Sequence, residues 1–278
     1  MKTKLLCTIV SIGIIMTSFS TKALAQSNTK TDSHMENIYT QQMSRYNPAS
    51  IVKKDVSSEE AYKISNVVYK NNNIRINYPK ITGLKNSKNQ SAINNIIKKY
   101  ALSYHTNKDS KMSLEVKYKI TLSTKSLLSI QYSGEENYPG AAYPTNVFYT
   151  TNIDMKNAKA IKLSDMVLIN KNFVKALKKG IYVTYSTSDK KLQTQMAEYL
   201  NNLDDKELID SIKQSDNMDK NKNTYQTYCY LTKDAIVISL YVPHVMGDHA
   251  EYKVMYKSLS SNVKTDGSFW KDILSAIN

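Results

Sequence analysis

The chain has 278 residues, 41% hydrophobic and 22% charged, with a formal charge of +14. This is the composition of a folded chain with a marked excess of cation rather than of a disordered one. Arg45 and Arg75 are the two arginines, so the charge is almost all lysine; a lysine ammonium is a point charge poorly suited to bidentate base reading, which argues against nucleic acid and for an anionic surface as partner.

Residues 1–25 carry Lys2 and Lys4, an apolar run over 5–19, and Ala23, Leu24 and Ala25 before Gln26, the three-part pattern of a secretory signal peptide. The apolar run is shorter than the ~20 residues of a membrane-spanning helix, so no stable membrane span is expected. Export removes Cys7 and leaves Cys229 alone, without an intramolecular disulfide. Residues 26–60 are a polar flexible leader without apolar periodicity.

A first subdomain is expected over 61–157. Extended runs at 61–69 and 74–78 flank Asn71, Asn72 and Asn73 as a hairpin, with Pro79 ending the second strand. Ser87 and Gln90 stand at capping-box spacing before a helical stripe of Ile93, Ile96, Ile97, Tyr100, Ala101 and Tyr104; Asn94 and Asn95 lie on its wet face and His105 falls at its end. Residues 114–122 alternate strictly, and 127–132 form the next strand, pairing antiparallel into the region that follows. Pro139 and Gly140 then make a loop, 147–153 a strand rich in β-branched and aromatic residues, and 158–163 its return past Asn157, ending where Ser164 and Asp165 cap a helical turn.

The second subdomain, 158–278, adds helices. Phe173, Leu177 and Ile181 mark one, Leu192, Met196, Tyr199 and Leu200 another, and Asp204 with Glu207 caps a third between Leu203 and Leu208. Residues 224–231 and 235–242 form a hairpin, 252–256 a returning strand, and Phe269, Trp270, Ile273 and Leu274 a short terminal helix. The fold class is α+β: antiparallel sheets with helices packed on one face, in two consecutive α+β subdomains.

Chemistry-bearing motifs are sparse. The chain carries no GxSxG elbow, HExxH helix, phosphate loop or cysteine–histidine pairing. His244 and His249, with Asp248 between them, are the weak metal candidates, but Pro243 and Gly247 place them in a turn and the sequence names no ligand beyond them. Cys229 reads as a buried inert thiol. No cofactor and no catalytic residue is assigned, and a binding protein is expected rather than an enzyme. Glu135, Glu136, Tyr138 and Tyr143 are the ligand-binding candidates, an exposed acidic loop with aromatic neighbours able to meet a basic partner or stack on a sugar.

The words IRINYPKITGLKNSKNQSAINNII, GAAYPTNVFYTTNIDMKNAKAIKLSDM and TYCYLTKDAIVISLYVPHVMGDHAEYKVMYKSL together resemble the paired domains of unknown function in RsiV-type anti-sigma factor ectodomains. A module related to them precedes the catalytic domain of PdaC-type peptidoglycan deacetylases. The resemblance implies a non-enzymatic, lysozyme-sensing ectodomain. The chain has Tyr143 where relatives commonly carry histidine. The Asp and His motifs of zinc polysaccharide deacetylases are absent, so the likeness to PdaC concerns the accessory module. The expected protein is secreted or wall-associated and engages a cell-wall glycan, an anionic wall polymer or lysozyme. A polysaccharide-modifying enzyme and a structural surface protein held by charge are the alternatives.

Overall fold

The first six strands form one mixed sheet whose two faces are covered by different partners. The computed structural model describes residues 62–104, 111–184, 189–219, 222–259, 261–264 and 270. All belong to the compact unit Tyr46–Asn278. The signal peptide, the leader, His105, Phe269, Ile273 and Leu274 lie outside the described residues.

Strands β1 (Lys63–Asn71) and β2 (Ile74–Thr82) form the expected hairpin, and Asn72 at its tip takes φ 49°, a left-handed conformation that asparagine tolerates. Pro79 does not end β2, which runs on to Thr82. The next strand pairs with β2 only at Ile74–Ile76, which leaves an open side where a residue without N–H is tolerated. Asn94 closes that side at Ile81: its Oδ1 accepts from the Ile81 amide and its Nδ2 donates to the Ile81 carbonyl, both at 2.9 Å. A residue expected on the wet face of the helix is thus half-buried and serves as a short surrogate strand.

Helix α1 (Ser87–Ala101) crosses over the sheet, so β3 (Ser113–Ser123) returns parallel to β2. The N-cap of α1 is Asn86, whose side chain accepts from the Asn89 amide at 3.0 Å, and not Ser87. Strands β4 (Leu127–Asn137), β5 (Thr145–Asp154) and β6 (Lys159–Ile161) complete the order β1-β2-β3-β4-β5-β6, antiparallel from β3 onward. Alternation divides β4 and β5. Leu128, Ile130, Tyr132, Val147, Tyr149 and Ile153 pack under α1, whose Ile93, Ile97 and Ala101 are fully buried.

The second half supplies α2 (Leu163–Met166), α3 (Lys171–Leu177), α4 (Lys190–Asn202) and α5 (Asp205–Lys213). With them come β7 (Ile181–Tyr182), β8 (Tyr228–Leu231), β9 (Ala235–Tyr241) and β10 (His249–Met255), an antiparallel sheet of order β7-β10-β9-β8. Asn170, Asp189 and Asp204 cap α3, α4 and α5 through their side chains. Ile181 departs from the helical expectation: α3 stops at Leu177, and Ile181 lies exposed on an edge strand. Trp270 docks as expected, its indole Nε1 donating to the Met166 carbonyl at 3.1 Å and its ring edge-on to Tyr256.

The outer face of β5 meets β8. Phe148 packs with Tyr230 and Val237, and a polar seam follows. Ser129 Oγ donates to Asn152 Oδ1 at 2.7 Å and accepts from the Leu231 amide at 2.9 Å, while Asn152 Nδ2 donates to the Cys229 carbonyl at 2.9 Å. Strand β5 is therefore buried on both faces from Val147 onward, and the polar Thr150 and Asn152 find partners there. The fold is α+β, and two consecutive subdomains share this strand's two surfaces.

Candidate recognition site

The β4–β5 loop is built by local rules. Pro139 and Gly140 occupy the middle of a turn closed by the Ala141 amide donating to the Tyr138 carbonyl at 3.0 Å, and Gly140 takes φ 87°, the positive value the third position of a type II turn requires. Tyr138 and Tyr143 flank it, 36% and 53% exposed. Both rings reach solvent from a loop whose ends are fixed in a ten-pair antiparallel ladder, Leu127↔Asp154 to Glu136↔Thr145.

The acidic part of the candidate site differs from expectation. Strand β4 extends to Asn137, so Glu135 and Glu136 belong to the strand and not to the loop, and they point to opposite faces. Glu136 is buried and takes the Tyr104 hydroxyl as hydrogen-bond partner, so it faces the core under α1. Glu135 is half-buried and pairs across the ladder with Glu115 on β3. Burial first, and then the Glu115 charge, raise the Glu135 carboxyl above its ordinary range, while Lys117 opposes both. Lys117 Nζ lies 3.5 Å from Glu115 Oε1. Glu115 and Glu135, opposed on the ladder, repel each other, and with Lys117 against them the cluster beside the loop carries one net negative charge. Glu115 was not singled out in the sequence because the pairing register of β3 and β4 is a tertiary fact.

The second constellation lands next to the first. Between β9 and β10 the chain makes a 3-10 turn at His244–Met246, followed by Gly247 at φ 98° and Asp248 at φ 68°. Asp248 Oδ2 accepts from the Asn146 amide at 2.8 Å, Asp248 Oδ1 is 2.8 Å from His244 Nδ1, and Asn146 Nδ2 donates to the Gly247 carbonyl at 3.4 Å. The first residues of β5, directly after Tyr143 and Pro144, are thus tied to this turn, at whose apex Val245 is 71% exposed. Asn146 and Val245 escaped sequence reasoning because neither residue type carries a signal outside its tertiary setting.

The histidines do not converge on a metal. His249 stacks on Phe148 at a centroid distance of 4.6 Å, and its Nε2 is 3.4 Å from the buried Glu251, which also accepts from the Tyr230 hydroxyl at 2.8 Å. His244 faces outward, its ring held against the largely buried Asp248 carboxylate. Among the described residues, no group of three or more His, Cys, Asp and Glu side chains is placed to hold a metal ion.

A third polar cluster lies deeper. Asp216, at φ 58° and buried, accepts from the amides of Cys229 and Leu163 at 2.8 and 3.0 Å, from Thr150 Oγ1 at 3.2 Å and from Cys229 Sγ at 3.1 Å. Burial outweighs these bonds and raises its carboxyl. Burial, then the neighbouring Asp216, push the Cys229 thiol well up, so it stays a protonated donor. The adjoining cavity, walled by Tyr100, Tyr104, Tyr149 and Tyr228, measures about 20 Å³, room for one water and no larger ligand.

No family model matches this chain, and no curated protein matches it. Among solved structures it is similar to a DUF3298-family protein from Bacteroides fragilis, at 16% identity over 73% of this chain and 94% of that one, with a TM-score of 0.44. A second, from Pseudomonas aeruginosa, is 15% identical over 74% of this chain and 95% of that one, with a TM-score of 0.44. The structural neighbours of this chain are thus proteins of the DUF3298 family, a domain of unknown function.

Proposed function

We propose that this protein is an exported, non-enzymatic binding module of the kind found in RsiV ectodomains, and that it engages a cell-wall glycan or a lysozyme-like partner through the paired turns at 138–143 and 243–248. The observation that carries the reading is the tie between Asn146 and Asp248, which sets two exposed tyrosines and an exposed valine at the end of two rigid sheets. Aromatic rings presented on a fixed scaffold lose little conformational entropy on binding, and they suit sugar stacking and protein contact alike.

Charge favours the protein partner over a neutral glycan at one edge of this surface. Without Lys2, Lys4 and Lys22 of the signal peptide the exported chain carries a formal +11 and repels a basic muramidase at long range, and screening over about 8 Å limits that repulsion to close approach. There, the Glu115 and Glu135 pair offers the local acidic complement. Isothermal titration of the purified chain with lysozyme and with soluble peptidoglycan fragments tests the proposal: heat is expected with at least one, and silence with both removes it.

A further inference from the structure

On a separate part of the surface, α3 and the edge of the four-stranded sheet enclose a groove of about 350 Å³. Its lining includes Lys175, Lys179 and Lys253, with Asn172 and Ser258 as neutral polar groups, and contains no acidic residue. The groove exists because β7 is two residues long. It covers β10 only at Tyr252 and Lys253, so Val254 and Met255 are left beside the end of α3 rather than beside a strand. Gly180 lets the chain pass this point: a Cβ there would stand 2.8 Å from the Leu177 carbonyl and 3.2 Å from that of Lys253.

The three lysines are not equivalent. Lys253 Nζ already pairs with Asp234 at 2.7 Å, and the neighbouring Lys178 with Asp205 at 2.7 Å. Lys175 and Lys179 are exposed, and no acidic partner accompanies either among the described residues. Lys175 lies in the last turn of α3 and Lys179 two residues past its end, in the turn to β7, and both line the groove. An ammonium on a flexible stem takes phosphate as a point charge without demanding bidentate geometry.

We propose that this groove is a binding site for a linear phosphate-bearing polyanion, held by Lys175 and Lys179. The concave shape favours a chain over a lipid surface, since a flat headgroup layer cannot enter a trough between a helix and a sheet edge. The site is independent of the paired turns.

The test uses the purified chain and inorganic tripolyphosphate as probe, followed by titration across a salt series. The variant Lys175→Gln/Lys179→Gln is expected to bind at least about tenfold more weakly and with a shallower salt dependence. The control Lys98→Gln/Lys99→Gln removes equal charge from the exposed side of α1 and is expected to change affinity less than about twofold. No binding by the unaltered chain, or equal weakening by both variants, overturns the site. A second arm uses phosphatidylglycerol vesicles and soluble poly(glycerol phosphate): competition of the soluble polymer with tripolyphosphate supports the proposal. Loss of vesicle binding in Lys175→Gln/Lys179→Gln with tripolyphosphate binding unchanged contradicts it in favour of a membrane.

Discussion

Asn146 and Asp248 are 102 positions apart in the chain, and the amide of the first donates to the carboxylate of the second at 2.8 Å. One aspartate, held in a left-handed conformation after Gly247, thereby fixes the start of the doubly buried strand β5 against the β9–β10 turn. Replacing Asp248 with alanine removes this bond and the His244 contact together. The expected cost is ~1–2 kcal/mol of stability, with faster hydrogen exchange at Asn146 and the core amides of β5 unchanged. Exchange at Asn146 that stays as slow as in the unaltered chain would show that the tie does not hold the turns together.

Gly134 lets β4 lie close against β3. A Cβ at this position would lie 1.9 Å from the Glu115 carbonyl oxygen and 2.8 Å from Val116 Cα, both backbone atoms that cannot move alone. Gly134→Ala is therefore expected to cost ~3 kcal/mol, read from the denaturant midpoint. A cost below ~1 kcal/mol would mean that the ladder has a looser register here.

The buried Asp216 gives a pH signature. Its folded carboxyl titrates above the unfolded one because burial disfavours the charge. Its contribution to stability is complete below the unfolded pKa of ~3.9 and is lost as pH rises through the raised folded value. Asp216→Asn cannot titrate, and its amide faces the donors of Leu163 and Cys229, so the variant is less stable throughout. The difference from the unaltered chain should shrink between about pH 4 and the raised pKa. A difference that grows with pH over that window would reverse the assignment of the shift.

Cys229 lies wholly inside, with its thiol donating to Asp216 and its pKa pushed up by burial. Iodoacetamide should leave it unmodified in the native chain at pH 8 and alkylate it fully in denaturant, as read on the Cys229 peptide by mass spectrometry. Rapid native labelling would place the seam between β5 and β8 in contact with solvent.

The sequence disclosed those parts of the fold that local rules govern. The Pro139–Gly140 turn, the Asp204 cap and the alternation of β3 from Leu114 to Ile120 follow from turn chemistry, capping and period; a bulge between Ile120 and Leu122 then breaks the period and sends Leu122 to the other core. What escaped depends on neighbours distant in the chain. Pro79 could remain in a strand because β3 leaves β2 open there and Asn94 fills in, and neither fact is written near Pro79. Glu136 looked like a loop acid because strand length is set by pairing with β5, which carries β4 through to Asn137. The aromatic half of the candidate site was legible from Tyr138 and Tyr143. Its acidic half needed the β3–β4 register, which opposes Glu115 to Glu135.

That register also gives the proposed contact with a basic partner a pH dependence. Glu135 must be ionised to attract a cationic surface, and its carboxyl is raised by burial and by Glu115. Affinity for lysozyme should weaken as pH falls through this raised value, and Glu135→Gln should flatten the profile. An unaltered profile in Glu135→Gln would remove Glu135 from the interface.

The most direct measurement is calorimetric titration of lysozyme and soluble peptidoglycan fragments into the unaltered chain and into Tyr138→Ala/Tyr143→Ala, with thermal melts of both proteins alongside. Both side chains reach solvent, so the melts should coincide. Recognition by the paired turns predicts that the unaltered chain binds at least one of the two ligands and that the double variant binds it at least about tenfold more weakly, the loss expected of aromatic anchors. Equal affinity in the two proteins, or no heat from either ligand with the unaltered chain, would contradict it.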